Sequence, residues 1–243
     1  MNPPITRPTA EDLHPNLWRA SQLAQADGRC VDTGFPALSS LLSGEGWPTG
    51  ALVDLLVQQH GIGEMRLLAP ALAQVADRQI VLLAPPHTPQ ILGLASLGLT
   101  PSHLLWVQTK SSADTLWTAE NVLRGGFGAL LMWATQVRPE SLRRLHLAAQ
   151  AGETLFFLLR PMYAAQDACA APLRLTLRPA EGGIEIGFLK RKGPLRDAPL
   201  VLPLTTHQPA RPRHRQPAPG RAPVVAPQAD VPTVEVREQV LQA

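Results

Sequence analysis

Apolar runs of strand length alternate with segments of helical periodicity through most of this sequence. The strand-length runs cover residues 51–57, 79–84, 103–108, 129–133 and 154–160. The helical patterns between them cover residues 63–76, 88–97, 112–124 and 139–150. Because such alternation is typical of βαβ units, it predicts an α/β fold around a mostly parallel central sheet.

The pattern changes after Ala171, in the stretch LRLTLRPAEGGIEIGFLKRK. Here apolar and polar residues alternate in two runs, and a turn containing Gly182 and Gly183 separates them. Alternation with a period of two, interrupted by glycines, predicts a C-terminal β-hairpin added to the sheet.

The two ends of the chain have a different composition from the middle. Proline and arginine dominate from Thr205 onward, and large apolar side chains are too scarce there to build a core. We therefore expect a flexible segment with a short helix at 1–27, a core domain at 28–204, and a disordered Pro/Arg-rich tail at 205–243.

Composition narrows the classes of protein that the chain can represent. The 243 residues are 45% hydrophobic and carry a formal net charge of only +3, so contact with DNA is expected to be weak. Cys30 and Cys169 are far apart and have no metal-ligand spacing. No apolar run approaches the roughly 18 residues of a membrane span. We expect a cytoplasmic protein with no metal and no membrane attachment.

The candidate chemistry lies after the first apolar run, where a phosphate-binding loop would stand. Such a loop reads G-x-x-x-x-G-K-[S/T], because backbone N–H groups hold phosphates, the lysine reaches the terminal phosphates and the hydroxyl holds magnesium. Here Gly63 is kept, but Gln58, Glu64 and Met65 stand at the first glycine, lysine and hydroxyl positions. We expect no nucleotide cofactor. An ordinary strand-to-helix turn, with Glu64 favoured by the helix dipole, explains the same residues.

The residues on both sides of this loop resemble the opening of the RecA core. The resemblance rests on VDTGFPALSSLLSGEGWPTGALVDLLVQQHGIGEMRLLAPALA, residues 31–73. It implies a RecA-like fold in which Trp133 replaces the magnesium-linked aspartate of the Walker B strand, and the catalytic glutamate position falls near Pro86. Since every group that would hold or hydrolyse ATP is replaced, we expect a protein that is not an enzyme.

A more specific resemblance, to the ImuA family of translesion synthesis factors, covers the chain from Leu17 to Leu204. Its motifs are LWR (17–19), GWPTGAL (46–52), GIGEMRLLAPALA (61–73), PPH (85–87), LWTAENVLRGGFGALLMW (116–133), LRRLHLAA (142–149), FLLRP (157–161) and LKRKG (189–193). The resemblance implies an SOS-induced accessory factor that acts with ImuB, with an error-prone replicative-type DNA polymerase and with RecA. It also implies a cytoplasmic protein that associates with the nucleoid after DNA damage.

An alternative resemblance leads to SulA, the SOS inhibitor of the division protein FtsZ. It rests on RGGFGALLMW (124–133) and LAAQAGETLFFLLRP (147–161). SulA-like chains are shorter, and they lack both the GWPTGAL stretch and the LKRKG hairpin. The extent of the similarity therefore favours the ImuA family.

Two segments are candidate contacts for a partner or for DNA. Lys190 and Lys192 are two residues apart on the predicted hairpin, so they share one face, with Arg191 on the other. They either bind an anionic partner or act as solvated charges that protect a sheet edge.

The second segment, 231–243, either docks on a partner through apolar side chains or is a passive end. Its candidate contact residues are Val236, Val240 and Leu241.

Overall fold

The computed structural model describes residues 29–193, 196 and 198–204. In chain order the elements are β1 (Cys30–Val31), α1 (Pro36–Ser39), β2 (Trp47–Pro48), β3 (Leu52–Val57), α2 (Glu64–Gln74), β4 (Ile80–Leu83), α3 (Ile91–Ser96), a 3₁₀ helix (Pro101–His103), β5 (Leu104–Val107), α4 (Ser112–Arg124), β6 (Ala129–Trp133), α5 (Pro139–Gln150), β7 (Leu155–Pro161), a second 3₁₀ helix (Met162–Gln166), β8 (Leu173–Ala180), β9 (Gly183–Lys190) and β10 (Leu200–Pro203).

The central feature is an eight-stranded sheet in the order β10-β9-β8-β3-β7-β6-β4-β5. The six strands from β8 to β5 pair in parallel, and β9 and β10 extend the sheet in antiparallel fashion. The mixed α/β fold with a mostly parallel sheet is therefore confirmed. A separate two-stranded sheet joins β1 to β2.

The sheet is covered on both faces, which explains why its middle strands are continuous apolar runs. Every residue of β3, β4 and β6 is buried. Apolar side chains of α2 and α3 pack on one face, and those of α4 and α5 pack on the other. The short connections place the carboxyl ends of β3, β4 and β6 together at one edge of the core, where ligands bind in open α/β sheets.

The predicted hairpin is present as β8 and β9, with one correction at its turn. Gly182 has a positive φ of 68°, whereas Gly183 belongs to β9 and pairs with Ala180. β10 was not expected from the sequence. It pairs with β9 and buries Leu202, so the hairpin is an integral part of the sheet.

The helix expected over 88–97 is shorter, since α3 begins at Ile91 and ends at Ser96. Prolines at positions 85, 86 and 89 explain the late start, because proline lacks an N–H and biases its preceding residue away from helical conformation. Within the described residues, no helix is long and apolar enough to cross a membrane. The expected N-terminal helix, the tail and its candidate contacts Val236, Val240 and Leu241 lie outside the described residues.

Candidate functional site

The loop at the carboxyl end of β3 has the shape of an anion-binding turn. It runs from residue 58 to residue 63 and leads directly into α2. Gly61 has a φ of 83° and Gly63 a φ of 117°, values that residues with a side chain rarely adopt. Backbone N–H groups before a helix N-terminus form such a site because they are left without partners inside the helix.

Glu64, the first residue of α2, supplies the anion for this loop from within the chain. Its Oε1 accepts a hydrogen bond from the Gly61 N–H at 2.9 Å, and its Oε2 accepts one from the Gly63 N–H at 3.2 Å. The side chain is buried, and the residue is only 5% exposed. The sequence had indicated only a favourable dipole interaction; the structure adds these two charge-assisted hydrogen bonds. An incoming phosphate would have to displace the carboxylate.

The loop forms one wall of a cavity of about 460 Å³. The cavity lies at the carboxyl ends of β3, β4 and β6, and its walls include Glu64, Met65, Pro86 and Trp133. Residues from three separate segments, which correspond to the P-loop, the catalytic glutamate and the Walker B strand in the RecA resemblance, therefore meet at one place.

Gln58 is the exception among the predicted loop residues. It follows β3 directly, and its backbone N–H donates to the Leu177 carbonyl of β8 at 3.0 Å. Gln58 therefore extends the pairing of the sheet, and the cavity wall begins two residues later, at His60.

The far wall of the cavity is apolar where a metal-binding carboxylate would be needed. Trp133 ends β6 and is 8% exposed. His87 lies on the wall but is exposed. In the part of the chain that the structure describes, no group of three or more His, Cys, Asp or Glu side chains is placed to hold a metal ion.

The predicted contact residues Lys190, Arg191 and Lys192 do not alternate along a strand as expected. β9 ends at Lys190, so the next two residues lie beyond it. The Arg191 guanidinium donates to the Leu41 carbonyl and lies 5.6 Å from the centre of the Phe188 ring. Arg191 is therefore held against the fold, while Lys190 and Lys192 are exposed.

Sequence reasoning missed a buried ionic cluster on the α4–α5 face of the sheet. Arg160 of β7 binds both carboxylate oxygens of Asp54 in β3, at 3.0 and 2.8 Å, and both side chains are fully buried. Arg174 of β8 donates to the same carboxylate at 2.9 Å and to the Ala164 carbonyl at 3.0 Å. The half-exposed Asp167 lies 3.3 Å from Arg160.

The cluster shifts the pKa of neighbouring groups. Burial opposes the charge on Arg160, but the hydrogen bond and the charge of Asp54 raise its pKa above the ordinary arginine value. Burial, and then the charge of Asp54, raise the pKa of the Cys169 thiol. The sequence did contain one signal for this cluster, the aspartate inside the apolar run LVDLLV. A buried carboxylate needs a cationic partner, so this aspartate predicts a buried arginine or lysine nearby.

Comparison with known proteins gives one weak similarity. No protein-family model matches the chain. The chain is similar to the cell division inhibitor SulA of Serratia proteamaculans (strain 568), with 27% identity over 120 residues, which is 48% of this chain and 71% of that protein. This similarity points to a SulA-like superfamily. It gives no specific support to the ImuA resemblance.

Proposed function

We propose that this chain is a non-catalytic accessory factor of SOS-induced translesion DNA synthesis, of the ImuA type. In this role it joins ImuB, RecA and, through them, an error-prone replicative-type DNA polymerase in the cytoplasm at damaged DNA. The observation that carries the proposal is that the Glu64 carboxylate accepts hydrogen bonds from the Gly61 and Gly63 N–H groups. These are the amides that would otherwise bind a nucleotide phosphate, so the loop serves a structural role.

Electrostatics supports the absence of nucleotide chemistry. Two unit negative charges 4 Å apart repel by about 4 kcal/mol at an effective dielectric of 20, so Glu64 opposes a triphosphate instead of attracting it. Met65 offers no hydroxyl and Trp133 offers no carboxylate for magnesium. Because these magnesium-binding groups are replaced, we infer that the protein acts by binding partners at its surface.

Two parts of the chain that belong to the ImuA resemblance, and lie outside the stretches that resemble SulA, are part of the folded core. The hairpin that SulA-like chains lack is part of the sheet here, with Ile184, Ile186 and Phe188 buried. The GWPTGAL stretch, also lacking in SulA-like chains, buries Trp47 edge-on against Phe157, with ring centres 5.3 Å apart. Both features are built into the core of this fold.

A second candidate function is inhibition of cell division through FtsZ. The observation that favours it is the 27% identity with the Serratia SulA over 120 residues. That match covers 48% of the chain, whereas the ImuA resemblance extends from Leu17 to Leu204. We therefore keep the SulA-type role as the alternative.

A retention experiment separates the two candidates. The purified chain is immobilised, and ImuB, RecA and FtsZ are passed over it at equal concentration, with a heat-denatured sample of the same chain as control for nonspecific binding. We expect retention of ImuB and RecA and no retention of FtsZ. Retention of FtsZ alone would assign the SulA-type role, and retention of none would overturn both.

A cell-based readout is independent of purified partners. Deleting the gene should lower damage-induced mutation frequency, and overproducing the protein should leave cell length unchanged. Filamentous cells on overproduction, with unchanged mutation frequency in the deletion strain, would contradict the proposal.

A further inference from the structure

The strand β5 lies at one edge of the central sheet, and its outer side is uncovered. Among the described strands it pairs with β4 alone. Every residue of β4 is buried, whereas Leu105 and Trp106 of β5 are 36% and 49% exposed. Leu104 packs on the α2–α3 face of the sheet and Val107 on the α4–α5 face. Because side chains alternate along a strand, Trp106 lies on the first of these faces and Leu105 on the second.

The backbone groups of β5 are divided between β4 and the outer edge. The Val107 carbonyl accepts the Ala84 N–H at 2.8 Å, so Val107 faces β4. The N–H and C=O of one strand residue point to the same side, and those of the next residue point to the other. The N–H and C=O of Trp106 and the C=O of Leu104 are therefore directed outward. Within the described residues, no hydrogen bond reaches these three groups.

The composition of this edge suits a second copy of the chain. Natural sheets often protect an exposed edge with charged residues or prolines. The other edge strand, β10, contains Pro203, whereas β5 contains neither a proline nor a charged residue. If a two-fold axis passes through Trp106, Lys110 of one copy lies opposite Ser102 of the other. The nearest cation therefore meets an uncharged residue, and no like charges oppose the pairing.

We propose that β5 pairs in antiparallel fashion with β5 of a second copy, about a two-fold axis at Trp106. The two Trp106 residues then exchange both N–H···O hydrogen bonds, and each Leu104 carbonyl accepts the Gln108 N–H of the other copy. A register centred on Leu105 is less favourable, because it needs the Leu104 N–H, which already donates to the Pro101 carbonyl. The dimer has one continuous sheet, with the same surface used by both copies.

This pairing covers the exposed apolar side chains of β5. Residues directly opposite each other on antiparallel strands have their side chains on the same face. The two Trp106 rings therefore meet on the α2–α3 face, and Leu105 meets Val107 of the other copy on the α4–α5 face. On that face α4 packs against β6 and β4, which lie further inside the sheet. A short strand covers less than the roughly 800 Å² per partner of a standard interface, so the dimer should dissociate on dilution.

Sedimentation equilibrium of the full chain over a concentration series tests whether the second copy binds. We expect a reversible equilibrium between monomer and dimer. A monomer at every concentration up to about 1 mM would overturn the proposal. Species larger than a dimer would also overturn it, because a two-fold contact is closed.

Hydrogen exchange locates the contact without any substitution. The Trp106 N–H has no partner within the described residues of one copy, so it should exchange more slowly at the concentrations at which the dimer forms. An exchange rate that does not depend on protein concentration, in a sample that contains dimers, would show that another surface is used.

A charge-swap pair tests the register. Trp106 lies opposite itself only if the axis passes through this residue, so Trp106→Lys and Trp106→Glu each place like charges side by side. We expect each variant to dimerise at least about tenfold more weakly than the parent, and an equal mixture of the two to recover the dimer. A mixture that stays monomeric, although both variants melt like the parent, would contradict this register.

The matched control is Tyr163→Lys. Tyr163 is also an exposed aromatic residue, but its 3₁₀ helix packs against β3, four strands away from β5. This variant should dimerise like the parent, and a loss equal to that of Trp106→Lys would exclude β5 as the specific contact. A monomeric parent whose retention of ImuB or RecA is lost in Trp106→Lys would assign the edge to that partner instead. The sedimentation experiments contain no partner protein, so their outcome is independent of the proposed function.

Discussion

The Glu64 Oε1 atom accepts a hydrogen bond from the Gly61 N–H at 2.9 Å, across a loop whose counterparts in nucleotide-binding proteins hold a phosphate. The first residue of the following helix thus supplies the anion that the loop amides contact. This arrangement explains how the chain can have the backbone shape of a nucleotide loop with none of its reactive side chains.

Replacing Glu64 should destabilise the loop and expose its amides. We expect Glu64→Ala to lower the free energy of unfolding by about 1.5–3 kcal/mol, the range for hydrogen bonds to a charged group. Added sulfate should then stabilise the variant more than the parent, since the freed amides can bind an anion. The measurement is urea denaturation with and without sulfate.

The matched control for this experiment is Glu140→Ala, in the exposed first turn of α5. It should cost less than about 1 kcal/mol, because only the dipole interaction is lost. Equal stability of Glu64→Ala and the parent would show that the two hydrogen bonds contribute nothing.

The two loop glycines should respond differently to alanine. Both have positive φ, but a Cβ at Gly63 would lie 2.6 Å from Leu204 Cδ1, whereas nothing lies within 4 Å of one at Gly61. Gly61→Ala should cost about 1–2 kcal/mol for the left-handed backbone alone. Gly63→Ala should cost more, and thermal denaturation would measure the difference. Equal losses of stability in the two variants would mean that the Leu204 side chain moves away from the new Cβ atom at no energetic cost.

Breaking the buried ionic cluster should have the largest effect on stability. Asp54→Asn leaves Arg160 and Arg174 without their shared anion, and the expected loss is about 3–5 kcal/mol. Asp167→Asn, at the half-exposed end of the cluster, should change stability by less than about 1 kcal/mol. Denaturant titration of both variants tests this, and comparable losses would contradict the central role of Asp54.

His146 should make stability fall in mild acid. Burial, and then the positive charge of Lys190, lower its pKa in the folded protein, so the unfolded chain binds the proton more tightly. The stabilising contribution is complete above the ordinary value of 6.5 and declines as the pH falls from there toward the folded value. Stability measured between pH 7 and pH 5 should therefore decline less steeply in His146→Gln than in the parent. Parallel curves for the two proteins would exclude this residue as the cause.

The sheet was predictable because its inner strands are unbroken apolar runs. LVDLLV, IVLL and ALLMW became β3, β4 and β6 nearly as expected, since burial on both faces permits few other assignments. β10 was missed because LVLP is only four residues long and contains a proline. It forms a strand through its pairing with β9, which is a tertiary effect.

The candidate sites were less predictable because they depend on long-range contacts. Asp54 meets Arg160 and Arg174 across 106 and 120 residues of sequence. The loop at Glu64 was identified because its residues are consecutive. Its internal hydrogen bonds depend on the side-chain conformation, which sequence spacing does not specify.

The most direct test of the closed loop is a titration of the unmodified protein with a fluorescent ATP analogue and magnesium, followed by fluorescence anisotropy. We predict no saturable increase in anisotropy up to about 1 mM, because Glu64 occupies the loop amides and Trp133 provides no metal ligand. Any binding free energy would then be weaker than about −4 kcal/mol. Saturable binding at micromolar concentration would contradict the closed state of the loop.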